Sequence, residues 1–320
     1  MRKVLVVGDA NVDIIVPFPK ITNSEKNYAE FTNPVMQGGG TAGNTAVALA
    51  RLGVQTAFVG TVGDDNYGRF VAEDFLREGI DTNNLLIDPE LNTVGVFAFI
   101  DSEGERYLWG WPREKQAFKE ICLGKISTDL WNDIHWIHSS GMALVHDSSA
   151  RSAILSLFQE GRKRGINTSF DLNLRVDNGI LDDDYRQSVM AVLNYTDYVL
   201  GSAEEEYAYL GESSWEINVR QLVTKNRTCI VRKGSHGSMA FTADGQVEAP
   251  AYCVDVVDTV GAGDTYNAGF IKGILEEKSV KESLFLGNAV AGYTVSKTGA
   301  RSCPNEQELN VFMKQRDSAN

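Results

Sequence analysis

Chemistry concentrates at one stretch of the chain, Asp258-Thr259-Val260-Gly261-Ala262-Gly263-Asp264, followed by helical periodicity over 265–275. Gly261, Ala262 and Gly263 carry little or no side chain. Consecutive backbone N–H groups can therefore converge at the helix N-terminus, where the dipole also favours an anion. That arrangement suits the negative charge on a phosphoryl group in flight. Asp264 opens the helix and can accept the proton of an attacking hydroxyl. A carboxylate is too weak a base to ionise an alcohol beforehand, so it would act as the phosphoryl group transfers. Standing alone, the same residues would read as a glycine-rich turn with Asp264 capping a helix. The flanking Asp258-Thr259 and the motifs elsewhere in the chain favour chemistry.

Strands and helices must deliver such a loop. Residues 3–8 carry a short buried-strand pattern, followed by helical periodicity at 42–52, a strand at 56–60 and a helix at 67–78 with Asp65 as N-cap. From Ser148 onward the patterns alternate: helix 150–164, strand 167–171, helix near 184–193, strand 198–200, helical segments 204–210 and 216–225, and strand 229–232. Such alternation predicts an α/β fold with a mostly parallel, doubly wound sheet. Two stretches break the rhythm. Residues 13–36 are interrupted by Pro17, Pro19 and Pro34, and 94–111 reads as a hairpin around Asp101-Ser102-Glu103-Gly104 with aromatic-rich arms. Neither has a helix beside it to make a crossover, so they are expected to pair as a small outlying sheet. The expectation is one domain over 1–320 with a lid formed by 13–36 and 94–111.

Composition narrows the function classes. The chain has 320 residues, with 30 Lys+Arg against 43 Asp+Glu and a net charge of −13. That balance argues against a general nucleic-acid binder or a protein that docks on anionic membranes. A hydrophobic fraction of 43% is ordinary for a globular protein. No apolar run approaches the roughly 18 residues of a membrane helix, and the apolar run after Arg2-Lys3 is too short for a signal peptide. Cys122, Cys229, Cys253 and Cys303 show no Cys-x-x-Cys pairing, so neither a zinc site nor a disulfide framework is expected, and a reducing cytoplasm is the simplest compartment.

Gly38-x-Gly40-x-x-Gly43 satisfies a dinucleotide fingerprint, but it stands well after the first strand and behind Pro34, whereas the fingerprint must follow that strand directly. A dehydrogenase is disfavoured accordingly. No P-loop pattern occurs anywhere.

Taken together, the motifs resemble the ribokinase-like (PfkB) carbohydrate kinase family, whose C-terminal signature is Asp-Thr-x-Gly-Ala-Gly-Asp. The N-terminal signature matches too, Gly39-Gly40-Thr41-Ala42-Gly43-Asn44-Thr45-Ala46, running on to Arg51-Leu52-Gly53. The resemblance covers essentially the whole chain in order. It implies a three-layer α/β sandwich with a β-sheet lid, ATP-dependent phosphorylation of a sugar-type hydroxyl, and Mg²⁺ as cofactor. By position, Asp264 looks like the base and Gly261, Ala262 and Gly263 like the anion hole. Asn11 and Asp13 look like sugar-hydroxyl ligands; a carboxylate clamps vicinal hydroxyls well, and an amide both donates and accepts. Gly39, Gly40 and Asn44 resemble a second group of sugar contacts. Asp171-Leu172-Asn173-Leu174-Arg175 is similar to the Asp-x-Asn-x-Arg of fructokinase-like and 2-keto-3-deoxygluconate kinase-like members. Asn173 would then lie on the nucleotide side, and Arg175 would neutralise phosphate or grip an anionic substrate.

The stretch Arg232-Lys233-Gly234-Ser235-His236-Gly237 resembles the nucleotide loop, with Lys233, Gly234 and Gly237 near ATP and Asn288 on the purine side. In the family's Asn-x-x-Glu motif, Glu205 fits the glutamate that organises Mg²⁺ through water, while Ser202 replaces the asparagine. A monovalent-cation loop, binding K⁺, would run past Asp258 and residues 299–303. For the substrate, Asp-x-Asn-x-Arg points to a fructose-like ketose or a keto-deoxy sugar acid. A ribose or nucleoside kinase is the alternative within the family, and a non-catalytic nucleotide- or sugar-binding regulator the alternative outside it. Arg106, Tyr107, Trp109 and Trp111 in the lid are expected to choose the substrate. With Phe18, Phe31, Phe97 and Phe99, the lid is expected to cover the sugar with one face and, with the other, to make the protein a homodimer.

Overall fold

A computed structural model describes residues 2–17, 33–100, 106–112 and 114–317. The N-terminal part runs β1 (Lys3–Val7), β2 (Asn11–Pro17), β3 (Val35–Gly39), α1 (Thr41–Arg51), β4 (Gln55–Gly63), α2 (Asn66–Arg77), β5 (Asp81–Asp88), β6 (Gly95–Ile100) and β7 (Arg106–Trp111). The middle continues with β8 (Ile134–Ser140), α3 (Ser149–Lys163), β9 (Asn167–Asp171), α4 (Asp183–Leu193), β10 (Tyr198–Ser202), α5 (Trp215–Leu222) and β11 (Thr228–Arg232). The C-terminal part adds β12 (Ser238–Thr242), β13 (Gly245–Ala249), α6 (Ala262–Leu275), α7 (Val280–Val295) and α8 (Glu306–Asp317).

The main sheet has nine strands in the order β13-β12-β11-β10-β9-β8-β1-β4-β5. It is parallel from β11 to β5 and antiparallel only at the β12–β13 edge. β1 shows why the apolar run at the N-terminus is unbroken. Leu5 and Val7 point into a core shared with α3, α4 and α5, while Val4 and Val6 point into a second core shared with α1, α2, α6 and α7. A strand buried on both faces has no polar side to show. The result is the expected α/β sandwich, with helices covering both faces of a mostly parallel sheet.

One expected element changes, and β8 is a strand the sequence pattern does not announce. Residues 204–210 make a single turn at Tyr207–Tyr209 rather than a helix, because Glu206 takes a non-helical backbone (φ −133°, ψ −63°) while its carboxylate reaches back to the Ser202 N–H and hydroxyl. β8 gives no periodic signal because it buries polar side chains. His138 Nδ1 meets the Ser169 hydroxyl at 2.8 Å, and Trp136 Nε1 donates to the same oxygen at 2.7 Å. Burial pushes His138 down to about 4, so it stays neutral.

The four-stranded second sheet runs β3-β2-β6-β7 and joins the two irregular stretches as expected. Phe18, Phe31 and the turn at 101–104 lie outside the described residues. The distribution of the remaining aromatics needs correction. The ladder pairs Phe97 with Trp109, Phe99 with Tyr107 and Gly95 with Trp111, so all five rings share one face. Phe97 stacks on Trp109 and Phe99, and Trp111 meets Tyr67 of α2 edge-on. Asp13 pairs with Val96, one residue out of step with Phe97, and so belongs to the opposite face. Tyr107, Trp109 and Trp111 therefore share none of the Asp13 face, and Arg106 holds the register position opposite Ile100.

Among the described residues, no helix is long and apolar enough to cross a membrane. Asp65 caps α2 as its sequence position predicts: one oxygen accepts from Gly68 N at 2.7 Å and the other from Thr93 N at 2.8 Å. Asp65→Ala should cost about 1–2 kcal/mol of stability, read as a lower urea midpoint with unchanged slope.

Candidate active site

The parallel strands end on one side of the main sheet, and the chemistry gathers there, as open α/β sheets generally arrange it. α6 begins at Gly261, whose backbone is left-handed (φ 76°). A Cβ at that position would lie 2.8 Å from Ala300, so only glycine allows this close approach. Ala262 and Gly263 form the first turn; Ala262 N donates to the Thr259 carbonyl at 3.3 Å, and Thr265 N makes the first intrahelical bond, to the Gly261 carbonyl at 2.9 Å. Asp264 stands in the same turn and is buried. Its Oδ2 accepts from Asn44 Nδ2 at 2.9 Å, and its backbone oxygen accepts from Thr45 Oγ1 at 3.2 Å, which ties the start of α6 to α1.

α1 begins the same way. Gly40 has φ 87°, and a Cβ there would meet the Asp9 backbone at 2.8 Å. Asp9, just past β1, accepts from Thr41 N at 3.0 Å and Ala42 N at 3.2 Å, a carboxylate lodged on a helix N-terminus. Asn11 and Asp13 lie on β2. Asn11 is buried with its Oδ1 unpartnered by any described group. Gly39 leaves room for the Asp13 carboxylate, which a Cβ would approach to 2.6 Å.

At the end of β11, Arg232 is a largely buried cation, its side chain 14% exposed. Its Nη2 donates to Asp171 at 2.7 Å and Glu206 at 3.1 Å, and its Nη1 to Asn267 Oδ1 at 3.0 Å and the Gly263 carbonyl at 3.2 Å. Asn267 Nδ2 completes the ring on Asp171 Oδ2 at 2.9 Å. Burial raises the Glu206 carboxyl above its ordinary value, opposed by Arg232. Burial raises Asp264 further, with Asn44 and Arg232 opposing and Asp171 and Asp9 adding to the rise. Asp9 is raised by burial too, against its two backbone bonds and the nearby charge of Arg175.

Other sequence candidates fall around this centre. Asn173, at φ 32°, accepts from Arg175 Nη2 at 2.8 Å and lies 3.5 Å from Thr41 Oγ1, which sets both near the Asp9 end of the cleft. Lys233, Gly234 and Gly237 form a tight turn closed by Lys233 N on the Gly237 oxygen at 2.8 Å. Asn288, buried on α7, donates to the Ala249 and Pro250 carbonyls at 3.1 and 3.0 Å and so pins the chain that Gly237 packs against. Glu205 is exposed, 3.4 Å from Ser202 Oγ, whereas its neighbour Glu206 turns inward. Asp258 is buried and accepts from Val260 N at 2.9 Å and Gly299 N at 2.7 Å.

Sequence reasoning missed Asp9, Arg232, Glu206, Asn267 and Arg301 as site residues. Asp9 and Arg232 each sit at the C-terminal end of a strand, and that position was the available signal.

Residues 1–308 match the family model described as pfkB family carbohydrate kinase. The chain belongs to this family. This pfkB kinase is 30% identical over 322 residues to the ATP-dependent ribose-1-phosphate kinase of Halopiger xanaduensis, covering 99% of each. It is 29% identical over 325 residues to the aminoimidazole riboside kinase of Salmonella typhimurium, covering 98% of this chain and 95% of the relative. Its fold is that of a putative ribokinase II from E. coli in complex with ATP and Mg²⁺, with a TM-score of 0.86 at 22% identity over 98% of this chain and 100% of the other.

The burial of Asp264 in this kinase has a thermodynamic consequence. An acid whose pKa is higher folded than unfolded binds more protons in the folded state. Its ionisation therefore removes stability as pH rises above the ordinary value of 3.8. Asp264→Asn cannot ionise, so it should melt at a higher temperature than the parent near pH 8. The gap should close toward about pH 4, as thermal scans across that range would register.

Proposed function

We propose that this kinase transfers the γ-phosphoryl group of ATP to a hydroxyl of a fructose-like ketose or a keto-deoxy sugar acid. The observation that carries the reading is Asp264, a buried carboxylate in the first turn of α6 beside the Gly261–Gly263 backbone and hydrogen-bonded to Asn44. In the proposed reaction, Asn11 and Asp13 hold sugar hydroxyls, and the Gly39 and Gly40 backbone lies against the ring. Asn44 keeps one N–H and one lone pair beyond its protein contacts to offer the substrate. The attacking hydroxyl faces Asp264, which takes its proton as the bond to phosphorus forms. The N–H groups at the start of α6 meet the charge that develops on the phosphoryl oxygens.

Lys233, Gly234, Gly237, Asn173 and Asn288 are assigned to the nucleotide. Among the described residues no group of three or more metal-ligating side chains occurs. The donor set near Glu205 suits Mg²⁺ that arrives on phosphate oxygens and keeps most of its waters. Bound there, Mg²⁺ would neutralise phosphate charge. Asp258 remains the candidate for a monovalent cation, since each of its oxygens accepts a backbone N–H bond and a carboxylate oxygen has a further lone pair. The four thiols are unpaired and fit a reducing cytoplasm.

The aromatic face of the lid supports a sugar over a nucleoside, since its rings lie opposite Asp13 and are not available there to stack a base. Arg175 supports an anionic group on the substrate, since its charge acts on Asp9. The same aromatic face supports self-association: Tyr107 and Trp109 are 56% and 55% exposed on it. We take the protein to be a single domain with this lid, dimerising through it.

The deciding experiment is an ADP-release screen across ketoses, keto-deoxy acids, pentoses and nucleosides. Turnover should be best with a ketose or a keto-deoxy acid, and a nucleoside preference would reverse the substrate reading. With the best substrate, Asp264→Asn should lose about 10²–10⁴-fold in kcat; a loss under tenfold would remove Asp264 as the base and return the chain to a binding role. Sedimentation at micromolar concentration should show a dimer, and a 35.1 kDa species unchanged by sugar and nucleotide would exclude the lid interface.

A further inference from the structure

We propose that Arg301 is a positioning residue for the base: it locks the side-chain amide of Asn44 so that its N–H end faces Asp264. The inference rests on Asp264 acting as the base of the kinase.

An asparagine amide has a donor end and an acceptor end of nearly the same shape, so packing alone does not orient it. Here the neighbours decide. Arg301 Nε lies 2.8 Å from one end of the Asn44 amide, and Asp264 Oδ2 lies 2.9 Å from the other. A guanidinium can only donate, so the end facing Arg301 must be the oxygen. The NH₂ group is thereby committed to the carboxylate. Without the guanidinium, the amide could turn its oxygen toward Asp264 and repel the charged form.

The rest of the molecule holds Arg301 in place. Its Nη1 pairs with Asp74 of α2 at 3.2 Å, and its guanidinium lies 5.8 Å over the Phe75 ring. Its backbone oxygen accepts from Arg51 Nη1 at 2.5 Å, and Arg51 is itself paired with Glu78 at 2.6 Å. β3 closes over it: a Cβ on Gly38 would fall 2.6 Å from Arg301 Nη2. The guanidinium is thus wedged between α2, α1 and the root of the lid.

The charged groups that face Asp264 are Asp9 beyond β1, Asp171 at the end of β9 and Arg232 at the end of β11. Two of the three are negative, and the site is buried, so the charged form of Asp264 needs every donor it has. Asn44 is the side-chain donor, and Arg301 keeps it one.

The test is the pH dependence of kcat/KM for the parent, Arg301→Met, Arg301→Lys, Asn44→Ala and the double variant Asn44→Ala/Arg301→Met. Arg301→Met should lose roughly ten- to a hundred-fold, the size expected for a hydrogen bond to a charged group. Its acid limb should move to higher pH, with the KM for ATP within about twofold of the parent. Arg301→Lys, which can still donate to Asn44 Oδ1, should recover most of the shift. In the Asn44→Ala background, Arg301→Met should cost nothing further. Additive losses, or a loss with an unmoved acid limb, would make Arg301 mere scaffolding and overturn the inference. If Arg301→Met does not fold because it strands Asp74, Arg301→Met/Asp74→Leu removes both charges together and is read the same way. Asp264→Asn runs alongside: if it keeps full turnover, the base assignment fails, a result distinct from additivity at Arg301.

Discussion

Buried negative charge is the constraint around which this protein is organised. Asp9, Asp171, Glu206 and Asp264 are all buried at the ends of neighbouring strands and helices. One largely buried guanidinium, that of Arg232, bridges Asp171, Glu206 and the Gly263 carbonyl. Removing carboxylates from water is costly unless each is paired or hydrogen-bonded. Nearly every close contact in the centre answers that cost. Asp9 is met by two amides of α1, Asp171 by Arg232 and Asn267, Glu206 by Ser202 and Arg232, and Asp264 by Asn44. At Asp9, Glu206 and Asp264 burial outweighs that compensation and shifts the carboxyls upward. A carboxylate held with incomplete compensation is a readier proton acceptor than one fully satisfied, which is what a base in phosphoryl transfer requires.

The fold makes this crowding affordable by aiming two helix N-termini at it. α1 and α6 start at glycines with positive φ, Gly40 and Gly261, and each start packs against backbone at a distance no side chain would tolerate. Two positive helix ends beside several carboxylates offset part of their repulsion. The same two ends are tied together by Asn44 and Thr45, which fix the start of α1 against the start of α6. The contact that joins the two helix starts also compensates the buried charge of Asp264.

The lid follows a separate rule. Strand alternation sorts its side chains completely: rings to one face, Asp13 to the other. Near α2 the aromatic face is covered by the body through Tyr67 and Trp111, while farther out Tyr107 and Trp109 stay exposed. Meanwhile Gly38 and Gly39 at the root of β3 bring the backbone down onto Arg301 and Asp13. The root of the lid therefore touches both the Asp13 carboxylate and the guanidinium bonded to Asn44.

The sequence by itself determined what depends on local pattern. The alternation of helix and strand from Ser148 onward, the cap at Asp65, the glycine-led start of α6 and the pairing of the two irregular stretches were all legible. Each follows from backbone propensity or from short-range periodicity. The candidate base and its glycines were legible for the same reason, since residues 261–264 are contiguous. Tertiary structure decided everything that depends on partners far apart in the chain. Asp171 and Arg232, or Asn44, Asp264 and Arg301, meet only because parallel strands end on one side and bring distant loops together. Polar residues such as His138 and Glu206 turn inward where periodicity expects a surface or a helix, because a specific partner waits inside. The lid's aromatic residues were visible as a cluster, but the face they occupy depends on register, and a shift of one residue exchanges the two faces.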